Sequence, residues 1–191
     1  MIPITAWMDE TRERLTQHVV SGGMHTHASI RMVLYALATV IPALDILELG
    51  YDAGYTTEVL ASTGANVIGI DNETEHGDVK DKARERLAAY PNCTLIKADS
   101  LSYLTGAPAE SFDLIFVDDN HTEAHVMAEA QQIRRVLRPG GIAAFHDTQI
   151  GDGIIWRILD IIFHDWNRMD IPSPNYSAKE NFGFGLVRKP L

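Results

Sequence analysis

The sequence predicts an α/β fold, a doubly wound, mostly parallel sheet with helices on both faces, and three observations carry that reading. Apolar, β-rich runs recur at similar intervals; the segments between them are amphipathic at helical spacing; and a loop bearing two glycines follows the first run directly. The runs are Ile46–Leu49, Val67–Ile70, Thr94–Ile96, Leu114–Val117 and Ile142–Phe145. They are unbroken rather than alternating, as strands covered on both faces require.

Each intervening segment has its own signal. Residues 28–40 read as a helix. Asp78 to Tyr90 aligns Val79, Ala83, Leu87 and Tyr90 on one face and is stopped by Pro91. Thr122 to Leu137 aligns Val126, Ala130, Ile133 and Leu137, and then "LRPGG" reads as a turn, with Pro139 presetting one φ and Gly140 allowing a positive one. Gly153 to Met169 repeats the helical pattern with Ile155, Leu159, Ile162 and Trp166. Residues 170–181 read as loop, and "FGFGLV" reads as a last strand with small residues where another backbone approaches.

A chain of 191 residues, 46% hydrophobic and 22% charged, suits one domain with a sizeable core. We divide it into an N-terminal segment and possible lid (1–27), a core region (28–148), and a C-terminal helix with a closing strand (149–191). The net charge of −10 excludes a nucleic-acid backbone as main partner, because that role needs a basic surface. The one cysteine, Cys93, opens an apolar run and reads as a core thiol. The longest apolar stretch, Met32 to Leu44, is broken by Pro42 and is too short to span a bilayer, so no membrane partner is expected. The start "MIPITAWMDETRER" has no secretory pattern, and a cytoplasmic location follows.

In a doubly wound sheet the ligand sits beyond the carboxyl ends of the strands, where the winding reverses. If the fourth strand returns to lie beside the first, those ends are Glu48–Gly54 and Asp118–His121. A dinucleotide fingerprint starting at Gly50 would need glycine at 52 and 55, where this chain has Asp52 and Tyr55. Asp52 would also oppose a pyrophosphate at the helix that follows, which disfavours NAD. A phosphate-free nucleoside with a cationic end meets no such obstacle.

The stretch "ILELGYDAGYTT" resembles the first motif of class I S-adenosylmethionine-dependent methyltransferases. The resemblance implies a Rossmann-like methyltransferase sheet with its last strand antiparallel. It also implies that the amides of Gly50, Tyr51, Asp52 and Gly54 line the methionyl part of S-adenosyl-L-methionine, with Glu48 near its ammonium group. Asp71 ends the second strand about 20 residues beyond the loop, where an acidic side chain accepts ribose hydroxyls, with Asn72 and Glu73 beside it. The resemblance puts Asp99 and Ser100 near the adenine. The plain alternative for each acidic residue is a helix N-cap or a solvated turn.

"FDLIFVDDNHTEAHV" and "LRPGGIAAFHDT" resemble the O-methyltransferase branch of that family, typified by small-molecule and sugar-hydroxyl methyltransferases. The resemblance covers about residues 28 to 148, with Asp119 standing where the family usually has a small residue. Its implied partner is a small-molecule hydroxyl acceptor. Methyl transfer to a hydroxyl needs a base, and His121 is expected to take the proton; the alternative is that His121 caps the helix starting at Thr122. Asp118 and Asp147 end strands expected to be adjacent, so their carboxylates suit Mg²⁺ or another divalent metal, and His146 as third ligand would favour a transition metal. His125 and His164 read as surface or half-buried helix residues, and His25 and His27 as part of a hinged segment. The apolar faces of the N-terminal helices and the C-terminal segment suit a homodimer. Two competing readings are a cofactor-binding module without catalysis, prompted by Asp52 and Asp119, and a nicotinamide-dependent reductase.

Overall fold

The computed structural model describes residues 26, 28–40, 44–74, 77–171 and 183–191. In chain order its elements are α1 (Ala28–Val40), β1 (Asp45–Leu49), α2 (Tyr55–Ala61), β2 (Asn66–Asp71), α3 (Gly77–Leu87), β3 (Cys93–Lys97), α4 (Ser100–Gly106), β4 (Phe112–Val117), α5 (Glu123–Val136), β5 (Leu137–His146), α6 (Ile150–Ile162), β6 (Asn167–Ile171) and β7 (Phe184–Arg188). The sheet has seven strands in the order β3-β2-β1-β4-β5-β7-β6. Strands β1 to β5 pair in parallel, and β7 runs antiparallel to both β5 and β6. The winding reverses between β1 and β4, where the sequence places the ligand.

Alternation along the central strands divides two apolar layers. Leu47, Leu49, Ile115, Val117, Ala143 and Phe145 face a cluster shared with α5 and α6, including Val126, Ile133 and Leu159. Ile46, Leu114, Phe116 and Ala144 face the other, with Leu34 and Ala38 of α1 and Leu60 of α2. Glu48 has the parity of Ile46 and lies on the α1 and α2 side.

Three expectations change. The helix over Gly153–Met169 ends at Ile162, because Phe163 and Trp166 reach the core through a chain reversal in which their rings lie 4.8 Å apart. The residues that follow, Asn167–Ile171, form β6, so residues 170 and 171, expected as loop, belong to a strand, and the rest of that expected loop lies outside the described residues. The "LRPGG" turn is a bulge inside β5, since Phe112 pairs with Leu137 while Leu114 pairs with Ile142. Gly140 does hold a positive φ, 77°, and its N–H donates to the Lys189 carbonyl at 3.0 Å. Cys93 is half-buried at the start of an edge strand, where burial pushes its thiol up to about 12. No described helix is long and apolar enough to cross a membrane.

Candidate functional site

A cavity of about 580 Å³ opens at the carboxyl ends of β1 to β5, a size suited to a nucleoside-sized ligand. The loop after β1 forms its floor. Gly50 has φ 86°, and a side chain there would place its Cβ 2.1 Å from the Asp118 carbonyl oxygen, so the close approach of the loop after β4 demands glycine. Gly54, at φ 76°, is the N-cap of α2. Between them Asp52 takes φ 40°, a conformation aspartate tolerates better than most residues.

Lys80, which the sequence reading missed, resolves the charge of Asp52. Its ammonium is buried on α3 and lies 2.6 Å from Asp71 Oδ2 and 3.3 Å from Asp52 Oδ1. Asp71 Oδ2 also accepts from the Asp52 N–H at 3.0 Å, and Oδ1 from the Glu73 N–H at 2.7 Å. The acceptor expected for a ribose is therefore already oriented, with lone pairs to spare. The Tyr51 hydroxyl donates to Glu73, so Tyr51 builds the wall through its ring. Asn72 is exposed at the cavity edge and its Oδ1 accepts from the Thr74 N–H at 2.9 Å. Asp99 does serve as the N-cap of α4, accepting from the Ser102 N–H at 2.8 Å, and it lines the cavity as well.

Glu48 is 1% exposed, and its Oε2 has no hydrogen-bond partner among the described residues. Burial pushes its carboxyl up to about 8; the Thr57 hydroxyl pulls against this, and the charges of Asp118 and Asp71 add to it. Arg31 of α1 is buried beside the same cavity, another residue sequence reading missed because it sits within an apolar helical run.

At the ends of β4 and β5, Asp118, His121 and Asp147 bring one ligand atom each within 4.8 Å of one another. His121 Nε2 lies 3.3 Å from Asp147 Oδ2. His121 is not the cap of α5; Thr122 holds that position, and its N–H is bound by Asn120 Oδ1. His146, expected as the third ligand, is 5% exposed and lines the same cavity, with Nδ1 3.1 Å from Asp118 Oδ1 and 2.9 Å from Asp147 Oδ1. Burial alone would lower its pKa, but the Asp118 and Asp147 carboxylates push it up to about 10. His146 thus stands as a counter-charge beside both carboxylates without a hydrogen bond to either, and Thr26 Oγ1 donates to Asp118 Oδ2 at 3.1 Å. The 1–27 segment, His25 and His27 lie outside the described residues except for Thr26.

His125, expected as a surface or half-buried helix residue, is half-buried on α5 and lines the cavity. It contacts Asp119, Glu129 and Ser100 through one ring nitrogen. The Asp119 and Glu129 carboxylates push it up to about 10, while burial pushes Glu129 up to about 7 against the pull of His125.

Comparison with known proteins agrees with this geometry. The sequence pattern of a family described as "Methyltransferase domain" matches residues 47–148, just over half the chain. The mouse mitochondrial ubiquinone biosynthesis O-methyltransferase is 29% identical over 175 residues, 79% of this chain and 45% of that protein. This chain thus spans under half of that relative's length. An uncharacterised methyltransferase of Synechocystis is 27% identical over 97% of this chain and 85% of its own. Among solved structures, cofactor-bound Rv0187 from MTB superposes with a TM-score of 0.72 at 19% identity, covering 97% of this chain and 95% of that one. TomG of Streptomyces achromogenes, an O-methyltransferase in complex with SAM, gives 0.69 at 19% identity, covering 93% and 87%.

Proposed function

The chain belongs to the methyltransferase-domain family, and from that premise we propose that it transfers a methyl group from S-adenosylmethionine to a hydroxyl oxygen of a small molecule. The observation that carries the reading is the unpartnered, buried Glu48 oxygen in the same cavity as Asp118, His121 and Asp147. A buried carboxyl oxygen without a partner fits a cationic donor, here the ammonium group of the methionyl moiety, whose charge favours the ionised form of Glu48. Two converging carboxylates beside an imidazole likewise fit a divalent cation, which Asp118 and Asp147 would hold. The mouse relative's O-methyltransferase name supports oxygen as the acceptor atom.

When bound, the sulfonium donor supplies an electrophilic methyl, and a divalent cation supplies positive charge that acidifies the acceptor hydroxyl. The chain's own residues do the rest. His121 Nε2, buried and without a hydrogen-bond partner, takes the proton from the acceptor hydroxyl. Asp147 Oδ2, 3.3 Å away, then stabilises the imidazolium. Thr26 holds the Asp118 carboxylate by its hydrogen bond, and His146 supplies positive charge beside the carboxylates of Asp118 and Asp147. Asp71, steadied by Lys80, accepts from the ribose, and Asp99 faces the adenine end.

The test is methyl transfer from labelled S-adenosylmethionine to a panel of phenols, catechols and sugars. His121→Ala is expected to lose about 10²–10⁴-fold in turnover while donor Kd stays within about twofold. Equal loss of donor affinity would remove His121 from the proton-transfer role. Chelation is expected to abolish turnover and added Mg²⁺ to restore it, except in Asp147→Asn; full activity in chelator would overturn the metal role.

A further inference from the structure

We propose that Asp119, His125 and Glu129 form a second site, separate from the Asp118–His121–Asp147 group, that binds a divalent transition metal between β4 and α5. Glu129 follows His125 by four residues on α5, which puts both side chains on one helix face, and Asp119 reaches them from the loop after β4. Their ligand atoms lie within 4.8 Å of one another.

Glu129 is 0% exposed, and neither of its oxygens accepts a hydrogen bond among the described residues. Asp119 Oδ1 is buried in the same condition. Around His125 Nε2 stand Ser100 Oγ at 3.0 Å, Glu129 Oε1 at 3.1 Å and Asp119 Oδ2 at 3.5 Å. One ring nitrogen carries one proton, which cannot serve three oxygens. A tetrahedral ion with bonds of about 2.0–2.2 Å holds its ligand atoms about 3.3–3.6 Å apart, close to the two nitrogen-to-carboxylate distances here. Two buried carboxylates match the charge of a dication. One imidazole nitrogen with two carboxylate oxygens suits Zn²⁺ rather than Mg²⁺. Such an ion ties the start of α5 to the loop after β4, and so steadies the wall of the cavity beside Ser100.

The Asp147→Asn chain, in which the other group is broken, is stripped with chelator, loaded with Zn²⁺ or Co²⁺ and desalted. It is expected to keep about one metal per chain, and its Co²⁺ form to show the intense visible bands of a tetrahedral site. Adding His125→Gln or Glu129→Gln should weaken metal binding about 10–100-fold, remove those bands, and abolish the rise in Tm that metal produces. The proposal is overturned if the Asp147→Asn chain keeps no metal, in which case the cluster holds only a shared proton. It is equally overturned if either glutamine variant binds metal unchanged. Should both glutamine variants fail to fold, the metal content and Co²⁺ spectrum of the Asp147→Asn chain decide alone.

Discussion

Glu48 sits in β1 with almost no exposed surface, and its carboxyl is raised from its ordinary 4.5 to about 8 by that burial. Between those two pH values the folded chain holds a proton that the unfolded chain has released. The resulting stabilisation is complete below about pH 4.5 and is lost as pH rises through 8, at up to ~1.4 kcal/mol per unit. Urea unfolding of the ligand-free protein is expected to show that decline, and Glu48→Gln to flatten it; an unchanged slope in the variant would assign the decline to other groups. The acidic residue before Gly50 was legible in the sequence. Lys80 and Arg31 were not, because a lone lysine on a charged helix and a lone arginine in an apolar one carry no local signal of burial.

Among the elements, α4 is the shortest link in its layer, and its end depends on another helix. Arg135, in the last turn of α5, donates from Nη1 to the Ala107 carbonyl at 2.7 Å and from Nη2 to the Leu104 carbonyl at 2.6 Å. A helix end leaves its last carbonyls short of partners, and here, among the described residues, Leu104 otherwise accepts only a long bond from the Ala107 N–H at 3.3 Å. Arg135→Ala is expected to lower stability by about 2 kcal/mol, read as a shifted urea midpoint with an unchanged m-value. Because α4 begins at Ser100 after its cap Asp99, its loosening should also disturb the cavity wall formed by those two residues. The helical period of α5 was plain in the sequence, whereas the end of α6 was misplaced: Trp166 satisfies the apolar spacing of a helix yet reaches the core beyond a turn.

Across the whole molecule, burial falls from the middle of the sheet to its edges. Most of β1 and β4 is buried, while β3 is half-buried or exposed along its length. Native-state hydrogen exchange is therefore expected to be slowest in β1 and β4 and faster in β3 and β6; uniform protection would show that the sheet opens only as one unit. The strand runs, the helical faces, the glycines of the first loop and the acidic strand ends were determined by the sequence itself, because hydrophobic period and backbone demands act over a few residues. Only the tertiary structure decided that both His121 and His146 stand beside the Asp118–Asp147 pair, and that Lys80 neutralises Asp52. It also decided that Asp119, His125 and Glu129 meet. Those contacts join residues on different elements, and their distances are set by how the helices pack on the sheet, which no local pattern encodes.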